Sequence, residues 1–112
     1  MQVHLIKKKS IHEFIHMHGR SKSSFLIWLE TLKHANWNDP NDLFATFPSA
    51  DILGNSSNRI VFNVGGNAYR IICKFQFTQS EMRLYVKWIG THDEYSQLCK
   101  QNKQYHIDQF RS

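Results

Sequence analysis

The sequence predicts an α+β domain in which two N-terminal helices pack on one face of a mainly antiparallel sheet, in the order β-α-α-β-β-β-α. Three patterns predict it: two amphipathic stripes at helical spacing before residue 36, a change to period two from Arg59 onward, and a capped helical pattern starting at Thr91. The chain has 112 residues, 41% hydrophobic and 13% aromatic, enough for one core and too few for a two-lobed enzyme. Its charged fraction of 21% argues against an intrinsically disordered protein. Residues 1–112 are therefore expected to form a single domain.

Gln2 to Ile6 reads as a short strand closed by Lys7, Lys8 and Lys9. Ser10 and Glu13 have the spacing of a capping box, in which hydroxyl and carboxylate each cover an orphan amide. Ile11, Phe14, Ile15 and His18 come next at helical spacing, and Gly19 ends the helix. Ser21 to Ser24 opens a second helix whose stripe is Phe25, Trp28, Leu29, Leu32 and Ala35. Asn36 to Asn58 holds both prolines and reads as a long connection with a helical turn around Leu43 to Phe47. RIVFNV and NAYRIICKFQF then flank Gly65-Gly66, the residues that a two-residue primed turn demands, and MRLYVKWI comes after the turn at Thr78 to Glu81. Thr91 and Glu94 form another capping box at the head of a helix carrying Tyr95, Leu98 and Cys99 on one side. Residues 104–112 are expected to be a flexible tail.

With two-residue turns at Gly65-Gly66 and Gln79-Ser80, antiparallel pairing sets Phe62 opposite Tyr69 and Ile72 opposite Lys87. One face then collects Ile60, Phe62, Val64, Tyr69, Ile71, Cys73, Phe75, Phe77, Met82, Leu84, Val86 and Trp88, and is the core face. The other collects Arg59, Asn63, Arg70, Lys74, Gln76, Arg83, Tyr85 and Lys87, interrupted by Val61, Ala68, Ile72 and Ile89, and is read as free of acids. A solvated surface explains scattered lysines and arginines, but such surfaces usually mix signs. A face of one sign suits a phosphodiester backbone, with Arg forks and Lys point charges on its oxygens and Tyr85 placed to stack a base.

His92 and Tyr95 lie one turn apart at the start of the last helix, beside that face. Each is commonly a packing or capping residue, yet histidine is the side chain whose ordinary pKa suits proton transfer near neutrality. Cleavage of RNA by its own 2′-hydroxyl needs a proton acceptor, a proton donor and cations on the phosphate, and no metal or cofactor. His12-Glu13-Phe14-Ile15-His16 is a literal H-E-x-x-H, but Lys22 stands where an extended zinc-protease motif places its third histidine. With that helix short and Glu13 expected to cap it, no metal site is assigned.

Lys and Arg number 14 against 9 Asp and Glu, a net +5 that suits a polyanionic or acidic partner. Two cysteines, Cys73 and Cys99, lack the spacing of a disulfide scaffold or a zinc site, which fits a reducing, cytoplasmic setting. The N-terminus lacks a signal-peptide pattern, and no stretch approaches the roughly 18 apolar residues of a membrane span.

FPSADIL, FNVGGN with Arg70 shortly after, and GTHDEY, in this order and at this chain length, resemble the HigB-type toxins of bacterial type II toxin-antitoxin modules, within the RelE-like group. The resemblance spans roughly Val3 to Leu98. It implies a RelE-like fold and an mRNA endoribonuclease that inhibits translation, commonly acting on ribosome-bound transcripts. It also implies a HigA-type helix-turn-helix antitoxin as partner, with operator DNA contacted only through that antitoxin. Carried onto this chain, it favours Arg70, His92 and Tyr95 as catalytic residues, with Asn63 and Asn67 in the recognisable motif. The register adds Lys87 to the catalytic set and Arg59, Lys74, Arg83 and Tyr85 as RNA contacts. The alternative is a non-catalytic RNA- or ribosome-binding module.

Overall fold

The computed structural model describes residues 1–110. The elements are β1 (Gln2–Ile6), α1 (Lys8–Met17), α2 (Lys22–Lys33), α3 (Leu43–Thr46), β2 (Asp51–Leu53), β3 (Arg59–Val64), β4 (Tyr69–Phe77), β5 (Glu81–Thr91) and α4 (His92–Lys100). The strands form one five-stranded sheet in the order β1-β5-β4-β3-β2, antiparallel except where β1 runs parallel to β5. This is the expected α+β architecture. Strand β2 lies inside the stretch read as connection, because its three residues are too short to display an alternating pattern.

The stripes of α1 and α2 meet the core face as expected. Ile11, Phe25, Trp28 and Leu32 join Ile60, Phe62, Ile71, Cys73, Met82 and Leu84 in one buried cluster. Each large side chain buried there contributes about 1.5–3 kcal/mol. Trp37 is 1% exposed, and its indole N–H donates to Thr46 Oγ1 at 3.0 Å, which ties α3 to the long connection. The capping box at Ser10 does not form: α1 starts earlier, after Lys7 in the left-handed region at φ 68°, and Ser10 is buried within the first turn. Lysine is a good helix former, so Lys8 and Lys9 extend the helix rather than close the strand, and Glu13 faces Lys9 at 3.8 Å.

Both hairpins depart from the expected pairing, with opposite consequences. Val64 pairs with Tyr69, so Gly65 to Ala68 make a four-residue turn with both glycines at positive φ, and Phe62 faces Ile71 rather than Tyr69. That slip is an even number of residues and leaves every side chain on its expected face. Between β4 and β5 the expected pairs run from Phe77↔Met82 to Cys73↔Val86, and then the register shifts so that Ile72 faces Trp88 and Lys87 is the extra residue of a bulge. One inserted residue swaps the two faces for the rest of the strand. Trp88, expected in the main core, turns to the far face, while Ile89, expected on the far face, joins the main core.

The far face consequently has its own apolar cluster of Leu53, Val61, Ile72, Trp88 and Leu98, with Tyr95, Tyr105 and Ile107 packed on it. Helix α4 and the C-terminal stretch cover this part of the sheet. Arg59, 6% exposed, donates from Nη1 to the carbonyls of Gln104 at 3.2 Å and Ile107 at 2.7 Å. Strand β1 pairs with β5 only as far as Tyr85. Beyond it, the Gln109 N–H donates to the Lys87 carbonyl at 2.8 Å and the Ile89 N–H to Gln109 Oε1 at 3.2 Å. The stretch expected to be a flexible tail is thus hydrogen-bonded along the sheet as far as Gln109, with Phe110 packed against the main core. Residues 111 and 112 lie outside the described residues. Among the described residues no helix is long and apolar enough to cross a membrane.

Candidate active site

Arg70 lies near the start of β4, across from Asn63 on one side and Gly90 on the other. The turn before it and the helix after β5 converge on its guanidinium. Nη2 donates to Asn67 Oδ1 at 2.5 Å and contacts His92 Nδ1 at 3.0 Å, while Nη1 donates to the Tyr69 carbonyl at 3.1 Å. His92 is held by its backbone, whose N–H donates to the Ala68 carbonyl at 2.9 Å, and by the capping box just ahead of it. In that box the Glu94 N–H donates to Thr91 Oγ1 at 3.2 Å, and the Thr91 N–H to Glu94 Oε1 at 2.8 Å. Gly90 is required by close approach: a Cβ there would collide with the Trp88 ring.

The geometry fixes two points of chemistry. A guanidinium has only donors, so Nδ1 of His92 accepts and the ring hydrogen sits on Nε2. Arg70 is 8% exposed, and no carboxylate among the described residues is within ion-pair distance of it. A nearly buried cation satisfied only by neutral acceptors is suited to receive an anion. Tyr95, the other expected proton carrier, packs on Trp88 with ring centroids 6.1 Å apart. Burial and a hydrogen bond with the Cys99 thiol push its hydroxyl above the ordinary phenol range, away from proton transfer near neutrality.

The remaining expected residues lie elsewhere. Lys74, Tyr85 and Lys87 line an open groove of about 430 Å³ with Asn58, Phe75 and Gln76. Within it the Tyr85 hydroxyl donates to Gln76 Oε1 at 3.2 Å, and Lys87 Nζ stands 6.0 Å from the Tyr85 ring centroid and 3.4 Å from Asp108 Oδ2. Asn63 lines a recess beside Trp28 and Thr31. Arg83 Nε donates to Glu81 Oε1 at 2.7 Å, and the other Glu81 oxygen meets His4 Nε2 at 3.0 Å. The hydrogen bond from Arg83, with His4 adding to it, holds the Glu81 carboxyl below its ordinary range, and Glu81 and Tyr85 together raise Arg83.

Three readings are corrected by these positions. The far face is not free of acids, since Glu81 neutralises Arg83 and the C-terminal stretch brings Asp108 to Lys87. Arg59 is not an RNA contact, because its guanidinium is buried against the C-terminal carbonyls; that burial lowers its pKa, with Asp108 opposing the shift. The cations do not form one cradle. Four steps along the strand, about 13 Å, separate Arg70 from Lys74, and Trp88 takes the place opposite Ile72 expected of Lys87. Arg70 and Lys87 share a face without being neighbours. Sequence reasoning missed Gly90, Asp108 and the covering role of the C-terminal stretch, for which the alternation of Tyr105, Ile107 and Gln109 was the available signal.

His12 and His16 are exposed on α1, and among the described residues no three His, Cys, Asp or Glu side chains gather as a metal site would require. Complete burial pushes the Cys73 thiol far up, which makes it a poor nucleophile.

A mixed five-stranded sheet backed by two N-terminal helices is the α+β architecture of the RelE-like class. The HigB toxin family, described as the RelE-like toxic component of a toxin-antitoxin system, matches residues 21–98, and the chain belongs to that family. It is similar to the mRNA interferase toxin HigB of Escherichia coli (strain K12), 29% identical over 93 residues that cover 83% of this chain and 88% of the relative. The mRNA interferase HigB of Shigella flexneri matches to the same extent. That of Escherichia coli O6:H1 is 26% identical over 98 residues, covering 88% of this chain and 93% of the relative. The family match includes Arg70 and His92 and ends before the C-terminal stretch that covers the sheet.

Proposed function

We propose that this chain is the toxin of a type II toxin-antitoxin module, an mRNA interferase that cleaves mRNA on the ribosome by metal-independent attack of the 2′-hydroxyl. The observation that carries the reading is the contact, 3.0 Å long, between Nδ1 of His92 and an Arg70 that has no carboxylate partner among the described residues. A scissile phosphate takes over the Arg70 donors, which frees Nδ1 to take a proton from the solvent. The 2′-oxygen then bonds to phosphorus as its proton passes to water, the bond from phosphorus to the 5′-oxygen breaks, and the imidazolium gives its Nε2 proton to that oxygen. The products are a 2′,3′-cyclic phosphate and a 5′-hydroxyl. Arg70 stabilises charge on the phosphorane oxygens, and Asn67 keeps the guanidinium aimed. Tyr95 supports the site by packing on Trp88.

In this reading residues 1–112 are one domain, the toxin works in the cytoplasm, and a HigA-type helix-turn-helix antitoxin holds it inactive and links it to operator DNA. The test is to induce the protein and map new 5′ ends in cellular RNA, with and without a block on ribosome loading. Wild type is expected to create ends that vanish under the block, and His92→Gln to create about 100-fold fewer. No new ends with wild type would leave a non-catalytic RNA- or ribosome-binding module.

A further inference from the structure

Lys87 is an awkward cation. It is the extra residue of the β5 bulge, its side chain is only 14% exposed, and it lies over Tyr85 at the wall of the open groove. An ammonium so poorly hydrated needs an anion, and Asp108 supplies one at 3.4 Å, longer than the 2.7–2.9 Å of a close charge-assisted hydrogen bond. The carboxylate is itself 40% exposed. Lys74, on the same groove, is exposed and has no carboxylate partner among the described residues. Asp108 arrives on a stretch fixed by Arg59, by Gln109 and by the seating of Phe110, so the acid is delivered to Lys87 by an anchored segment rather than by a wandering terminus.

We propose that the groove between Lys74, Tyr85 and Lys87 is an RNA subsite that Asp108 holds occupied as an internal substitute for a phosphate. The inference rests on the RNA-cleaving reading above and deepens it. The subsite lies about 13 Å along β4 from Arg70, roughly two extended nucleotides away, so it takes a residue flanking the cleaved one. One backbone phosphate of single-stranded RNA bridges Lys74 and Lys87, and its base stacks on Tyr85. Asp108 is then a competitor inside the chain: RNA must displace it, so the C-terminal stretch sets the affinity threshold of the toxin.

The experiment measures anisotropy of a short labelled single-stranded ribo-oligonucleotide, with the full-length chain carrying His92→Gln so that the probe stays intact. Asp108→Asn is expected to tighten binding at least 3-fold, and Lys74→Ala and Lys87→Ala to weaken it at least 5-fold each. Adding Asp108→Asn to Lys87→Ala should change nothing further, because the carboxylate then has no cation to release. Unchanged or weaker binding by a folded Asp108→Asn protein overturns the inference and leaves Asp108 as a structural clip. A poly-glutamate peptide that depends on these residues while RNA does not would also overturn it. The two readings fail separately: wild type that makes no new 5′ ends while the anisotropy responses hold removes the cleavage, and cleaving wild type with flat anisotropy removes the subsite.

Discussion

Arg70 carries two duties that an ordinary surface cation does not. Its Nη2 holds Asn67 and His92 together, and its charge is left for a ligand because no carboxylate among the described residues pairs with it. Arg70→Ala is expected to lower the cleavage rate by roughly 100-fold or more, since losing one preorganised donor to a developing oxyanion costs about 3 kcal/mol. Arg70→Lys should rescue little of it, because a point charge cannot engage Asn67, His92 and a phosphate in the fork geometry. Single-turnover cleavage of a reporter transcript reads both. Tyr95 behaves differently. Its raised pKa and its packing on Trp88 predict that Tyr95→Phe cleaves at the wild-type rate, measured in the same assay. A loss as large as that of His92→Gln would return Tyr95 to the proton-transfer role. Arg59 belongs to stability: Arg59→Met leaves the Gln104 and Ile107 carbonyls without a donor and should cost about 1–3 kcal/mol, seen as a lower midpoint in urea.

At the scale of elements, the site depends on how β5 passes into α4. Thr91→Ala removes one half of the capping box and should destabilise the fold by about 1 kcal/mol. For a chain of this length that lowers the melting temperature by about 4 °C. Gly90→Ala should cost more, because the new methyl meets the Trp88 ring, and moving that ring disturbs Tyr95 and the start of α4. Legibility in the sequence divides along the same elements. The capping box at Thr91 is local and legible, as are the turn and strand that carry Asn67 and Arg70, whereas the contact of Arg70 with His92 spans 22 residues and has no local signal. The bulge leaves none. In VKWIG both Trp88 and Ile89 are apolar, so either can face the core, and only the inserted Lys87 decides which one does. The four-residue turn is equally invisible but harmless, because an even slip preserves faces. For the C-terminal stretch the alternation of Tyr105, Ile107 and Gln109 signals only that one side packs, and where it packs is illegible because its anchors are long-range, Arg59 above all, which holds a carbonyl 48 residues away.

For the molecule as a whole, a net charge of +5 overstates the positive surface offered to RNA. Arg59 is buried against the C-terminal carbonyls, Arg83 is neutralised by Glu81, and Lys87 is answered by Asp108, which leaves, among the described residues of the far face, exposed Lys74 and the nearly buried Arg70 without a carboxylate partner. The histidines of α1 point to no metal chemistry in this reading, so cleavage should persist in EDTA, and the double variant His12→Ala with His16→Ala should remain toxic on induction. Salt provides the more discriminating measurement. Each phosphate neutralised on a single strand contributes about −0.7 to the slope of log affinity against log salt. Lys74 and Arg70, joined by Lys87 once Asp108 is displaced, predict a slope of roughly −1.4 to −2, so that raising salt from about 50 to 200 mM weakens binding on the order of 10-fold. A diffuse basic surface that uses most of the lysines and arginines would instead give a slope several times steeper. Asp108→Asn distinguishes these cases further: releasing Lys87 from its internal partner should strengthen binding at low salt more than at high salt, because screening weakens the gain. An affinity gain of equal size at all salt concentrations would mean that Asp108 acts through the packing of the C-terminal stretch and not through its charge.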